Sequence, residues 1–73
     1  MGILNAALKA GKKAVEIEPD RALWRYHLAR TYEQSNPEYA LKEWERYLDL
    51  ALVDRREKNR IVEVQKRLKK NYD

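Results

Sequence analysis

The sequence contains no cysteine, one histidine, two prolines and two glycines among its 73 residues. Without cysteine no disulfide can staple so short a chain, and nothing in the composition argues for secretion. One histidine and no cysteine also leave a structural zinc site short of its usual ligands. No Val/Ile/Thr-rich alternating run is present, so the signal for strands is missing. No apolar stretch approaches the ~18 residues of a membrane span. Near the start, Ala6 stands where a myristoylation signal wants Ser or Thr. Glu16, Glu18 and Asp20 come too early for an acid-poor transit peptide. The expectation is a soluble, cytoplasmic chain with no membrane partner, cofactor or small-molecule substrate.

What is present favours helix: Ala, Leu, Glu, Lys and Arg dominate. Charge is abundant, with 16 basic and 12 acidic residues, but unevenly placed. Residues 1–54 carry eight basic and nine acidic side chains, whereas residues 55–73 carry eight and three. The basic character therefore belongs to the C-terminal segment.

Four segments have helical periodicity. In the first, Leu4, Ala7, Leu8, Gly11, Ala14 and Val15 recur at three- and four-residue steps. Pro19 ends it, and Asp20 is the expected N-cap of the second, with Trp24, Leu28, Thr31 and Tyr32 as its apolar stripe. Ser35-Asn36-Pro37-Glu38 makes the next break, because Asn caps well and Pro suits the first helical position. The third segment aligns Ala40, Leu41, Trp44, Tyr47, Leu48 and Ala51. Beyond it a single helix over 37–71 is conceivable. A break near 53–54 is favoured, since Asp54 and Glu57 have capping-box spacing and the apolar stripe lapses before Ile61, Val64, Leu68 and Tyr72.

The segments are related by self-similarity. Ala7-Leu8-Lys9 recurs as Ala40-Leu41-Lys42, an offset of 33 residues, and the same offset carries Leu28 onto Ile61 and Thr31 onto Val64. The expected domain, 1–73, thus divides into a half-repeat helix at 3–18, a full helical pair at 20–52 and a basic capping helix at 54–71. A helix pair of this length cannot bury its stripe alone, and stacking makes the core continuous.

At these positions the chain resembles the tetratricopeptide-repeat family. The family pattern of an aromatic, a Leu-Gly pair, a Tyr, and an Ala followed four residues on by an aromatic looks like Trp24, Leu28-Ala29, Tyr32, and Ala40 with Trp44. The preceding half-repeat offers Ala7, Gly11, Ala14 and Pro19. Departures are a Trp24 one residue too far from the Leu-Ala pair, Gly11 in place of an aromatic, Tyr47 in place of a small residue, and Leu52 in place of proline. The resemblance spans roughly residues 3–68 and implies an all-α, four-helix array of antiparallel helix-turn-helix units. Ankyrin repeats share the period, but their Thr-Pro-Leu-His signature is missing.

The resemblance further implies a protein-interaction scaffold without catalytic activity. Its peptide-binding residues would be Leu23, Tyr26, His27 and Arg30, opposite the Trp24/Leu28/Tyr32 stripe. The bland alternative is that Leu23 and Tyr26 pack against a neighbouring helix. His27 has no nucleophile beside it, and Ser35 has no Gly-x-Ser-x-Gly context. A rival reading takes Arg56, Arg60, Lys66, Arg67 and Lys70 as a far-side cationic face that binds nucleic acid. No aromatic is interleaved among them for base stacking, so a solvated cap is the simpler account. The small core also suggests a monomer or weak homodimer, with helix exchange through an uninterrupted 37–71 segment, or an excised or engineered minimal repeat with no natural ligand.

Overall fold

A computed structural model describes residues 2–72, with side chains as far as Lys70. Among the described residues the chain forms α1 (Gly2–Ile17), α2 (Ala22–Ser35), α3 (Pro37–Ala51) and α4 (Lys58–Tyr72), the last entered through a 3-10 turn, Arg55–Glu57. No strand occurs among them. The all-α expectation holds, with helix ends within a few residues of those read from the sequence.

Each boundary has a local cause. Pro19 disfavours helical geometry at Glu18, and the turn closes through the Arg21 amide donating to the Glu18 carbonyl at 3.2 Å. That closure moves the start of α2 one residue past the expectation. The N-cap is Arg21, not Asp20, and its side chain makes no capping bond. Asn36 alone links α2 to α3. Its amide donates to the Tyr32 carbonyl at 2.6 Å, and its side chain accepts from the Tyr39 amide at 3.4 Å. Pro37 takes the first helical position and Glu38 lies in the first turn, which suits the positive end of the helix.

α3 stops at Ala51, and the break near 53–54 is present. The Asp54 carboxylate accepts from the Arg56 amide at 3.0 Å and from Arg56 Nε at 3.1 Å. These bonds hold its carboxyl below the usual 3.8. Glu57 does not reciprocate as a capping box requires, because it is buried and bonded elsewhere. With the 37–71 segment interrupted, the uninterrupted helix needed for exchange is not formed.

The core lies where α2, α3 and α4 meet. Ala22, Tyr26 and Ala29 face Ala40, Trp44, Tyr47 and Ala51, and α4 adds Val64. Alanines bring the helix backbones close, and the three rings fill the remaining volume. Tyr26 and Trp44 meet edge-on with centroids 5.4 Å apart, and Trp44 meets Tyr47 at 6.4 Å and 88°, geometries that the ring quadrupoles favour. Tyr32, Leu48, Leu50, Ile61 and Leu68 pack around this cluster. The side chain of Tyr72 lies outside those described.

The stripe expected of α2 divides into two faces. Leu28 is buried but looks toward α1, where a Cβ on Gly11 would sit 3.0 Å from its Cδ1. Gly11 thus leaves room for Leu28 in the place where an aromatic would collide. Trp24 is only half-buried, with its Nε1 donating to Glu18 at 3.2 Å and the Arg21 guanidinium 5.4 Å from its ring centroid. Its place in the core is taken by Tyr26, because α2 is flanked by α1 on one side and α3 on the other. α1 itself has no buried residue. The whole forms a slab of 32 × 31 × 16 Å, in which helices pack mainly on their neighbours in sequence.

Truncating Trp44 to Ala removes the largest fully buried side chain and should destabilise the fold by ~3–5 kcal/mol in denaturant titrations. A cost below ~1 kcal/mol would mean that Trp44 is not a core residue.

Candidate functional site

Buried aromatic rings with polar tips need acceptors, and here glutamates supply them. Trp44 Nε1 donates to Glu33 at 3.1 Å, Tyr47 Oη to Glu57 at 2.9 Å, and Tyr26 Oη to Glu63. Two of these carboxylates are also bound by arginines of α4. Arg67 Nη1 reaches both oxygens of Glu33 at 2.6 and 2.7 Å, and Arg60 Nη1 lies 3.3 Å from each oxygen of Glu57. The same guanidiniums sit over rings, Arg67 5.6 Å from the Trp44 centroid and Arg60 5.6 Å from that of Tyr26. A fourth link, Arg25 to Glu43 at 3.0 Å, ties α2 to α3.

These bonds redistribute the cations read from the sequence. Arg60 and Arg67 are not on the far side of α4. They stand four residues before and three after Val64, so they flank the buried stripe, with their stems along the aromatic core and their heads on carboxylates. Arg56 is engaged with Asp54. Lys66 and Lys70 remain exposed, lining a groove of about 720 Å³ with Glu33, Pro37, Leu41, Trp44, Glu63 and Arg67. A continuous cationic face made of all five residues is therefore not assembled.

The peptide-binding set is also divided. Tyr26 is 7% exposed and offers a ligand no surface; its ring stacks in the core, as the packing alternative required. Leu23 is half-buried, while His27 and Arg30 are exposed. His27 meets the edge of the Tyr26 ring at 5.7 Å, and the Arg30 guanidinium lies 5.9 Å from its centroid. His27 and Arg30 line a groove of about 650 Å³ between α1 and α2, shared with Ile3, Leu4, Ala7, Thr31, Glu33 and Gln34. Leu23 is outside that groove. Among the described residues no group of three His, Cys, Asp or Glu side chains is placed to hold a metal ion, and no helix is long and apolar enough to cross a membrane.

The sequence does not single out Glu33 or Glu63, and it marks Glu57 only for its capping-box spacing with Asp54, not as an acceptor for a ring. The available signal was chemical: each buried Trp or Tyr demands a partner, but which glutamate serves depends on tertiary placement. No protein-family model matches the chain, and neither a curated protein nor a solved structure is significantly similar to it.

The ring hydroxyls make stability depend on alkaline pH. Burial, then the bond to a carboxylate, raises both Tyr26 and Tyr47 above the usual 10.0. A raised folded-state pKa contributes stability that is fully present below 10.0 and lost as pH climbs through the folded values. Denaturation midpoints should therefore hold steady to pH ~9.5 and fall above it. Tyr47→Phe should cost ~1–3 kcal/mol at neutral pH and flatten the alkaline decline.

Proposed function

We propose that this chain is a non-catalytic protein-interaction scaffold of tetratricopeptide-repeat type, which holds a peptide or partner helix along α2 in the groove beside α1. The observation that carries the reading is the groove of about 650 Å³ where His27 and Arg30 stand exposed beside the apolar Ile3, Leu4 and Ala7. The groove sets the apolar Ile3, Leu4 and Ala7 of α1 opposite the polar His27, Arg30, Thr31, Glu33 and Gln34 of α2, a mixed lining that suits a short peptide segment, and arginine is a frequent anchor at interfaces. The helix order supports the same reading. α2 and α3 form a tight pair joined by one residue, with α1 packed before the pair and α4 after it. The hydroxyl nearest His27 in the groove, that of Thr31, donates to the His27 backbone carbonyl at 3.0 Å and not to its ring, an arrangement that favours recognition over turnover.

The narrowed site is His27 and Arg30, with Thr31 and Gln34 added from the same groove. Titration with a peptide library, followed by amide chemical shifts, should move signals at these four residues. Arg30→Ala should then weaken a selected peptide by roughly tenfold. Shifts confined to α4, or none with any peptide, would remove the reading; the latter is the outcome expected of an engineered minimal repeat without a ligand.

The nucleic-acid alternative is weakened by the pairing of Arg56, Arg60 and Arg67 with carboxylates. Binding to random-sequence DNA or RNA should be feeble and abolished at physiological salt, because only sequence-blind counterion release would drive it. Tight binding at that salt would overturn the scaffold assignment.

A further inference from the structure

The turn that ends α3 exposes two aliphatic side chains that the core does not use. The Asp54 amide donates to the Ala51 carbonyl at 3.0 Å, which puts Leu52 and Val53 at the two central positions of a tight turn. Such positions ordinarily go to Pro, Gly, Asn, Asp or Ser, each for a local reason that neither Leu nor Val shares. Leu52 is nonetheless 71% and Val53 89% exposed. With Ala51 and Ile61 they form the apolar part of a groove of about 660 Å³ between the end of α3 and the start of α4, completed by Asp54, Arg55 and Lys58.

The charges in this groove do not cancel. Asp54 is already taken, since Arg56 bonds one carboxylate oxygen through Nε and the other through Nη2, both at 3.1 Å. Arg55 and Lys58 are exposed, and no ion pair among the described residues engages either. Glu57, the acid between them, is buried and bonded to Tyr47 and Arg60. Asp49 does not line the groove, and Glu18 and Asp20 line a separate cleft with Arg56. Two uncompensated cations therefore stand beside an apolar lining.

We propose that the groove at the α3–α4 corner docks an acidic peptide segment of a partner protein. One apolar side chain of that segment seats on Leu52, Val53 and Ile61, and its carboxylates face Arg55 and Lys58. Charge complementarity selects an anionic occupant, and the basic excess of residues 55–73, eight basic to three acidic, steers one toward this end of the molecule. A second copy of the chain would bring the same excess and be repelled.

The apolar lining selects among anions. Nucleic acid would bring phosphates to the two cations but leave Leu52 and Val53 without an apolar partner, and no aromatic ring lines the groove for a base to stack on. A bilayer surface is flat on this scale, whereas the site is concave and sized for side chains. The groove shares no lining residue with the one between α1 and α2, so the two sites stand or fall separately.

Short synthetic peptides in which one Leu, Ile or Phe is flanked by glutamates are the probes, with glutamine-for-glutamate versions as controls. Amide shifts should gather at Leu52, Val53, Arg55, Lys58 and Ile61, and the glutamine versions should bind about tenfold more weakly. Val53→Ser should weaken the glutamate peptides about tenfold. Lys58→Glu should weaken them similarly while gaining affinity for versions that carry lysine in place of glutamate, an exchange that a folding defect cannot produce. Circular dichroism and denaturation midpoint should be unchanged in both variants, because both side chains are exposed. The proposal is overturned if no probe shifts the corner residues, if glutamate and glutamine versions bind equally, or if phosphatidylserine vesicles or random-sequence DNA bind the corner more tightly than any probe. Shifts confined to His27 and Arg30 would also overturn it, while leaving the α1–α2 groove as a peptide site.

Discussion

Two tyrosines and a tryptophan cannot be buried among three helices unless their hydroxyl and indole hydrogens find acceptors. That requirement organises this molecule. The acceptors come from outside each ring's own helix: Glu33 of α2 for Trp44 of α3, Glu57 of the 3-10 turn for Tyr47 of α3, and Glu63 of α4 for Tyr26 of α2. A carboxylate brought that close to a core is costly unless its charge is compensated, and Arg67 and Arg60 compensate two of them. The chain of consequence runs from aromatic ring to acid to base. It ends by fixing α4, which has Val64 as its one buried apolar residue among those described.

This accounts for the character of the last helix. On composition it is a solvated basic cap, and Ile61 and Leu68 are only half-buried. Its register is nonetheless well defined, because Arg60, Glu63 and Arg67 each have a specific partner on the face they share with Val64. Polar bonds of this kind contribute modest net free energy while making alternative registers expensive, since a slip would leave several groups unpaired.

Much of the fold was legible in advance. Pro19, Asn36-Pro37 and Asp54 act locally, through backbone geometry and capping, so the helix limits follow from neighbouring residues alone. The α3 stripe was equally readable because only one of its faces is buried. The α2 stripe was not. Helices on both sides of α2 give it two inner faces, and periodicity along one line cannot separate Leu28, which meets α1, from Tyr26, which meets α3. The sequence accordingly offers Tyr26 both as a peptide-binding residue and as one packed against a neighbouring helix, and does not decide between them. Arg60 and Arg67 were misplaced for a related reason: a long side chain with a charged head can occupy a core-flanking position, and residue type alone assigns it to water. Of the candidate site, His27 and Arg30 are at the surface as read, whereas the groove beside them needs α1 in place to exist.

Packing each helix chiefly on its predecessor has a kinetic side. Few of the contacts join residues distant along the chain, so little loop-closure entropy must be overcome before native contacts form, and rapid folding is the corollary. The one-residue corner at Asn36 gives α2 and α3 the shortest route to each other, which makes their pairing the natural nucleus. Stability should then be graded along the chain, with amide hydrogens of α2 and α3 exchanging only on global opening. Those of α1, a helix with no buried residue, should exchange by local detachment long before the rest of the molecule comes apart.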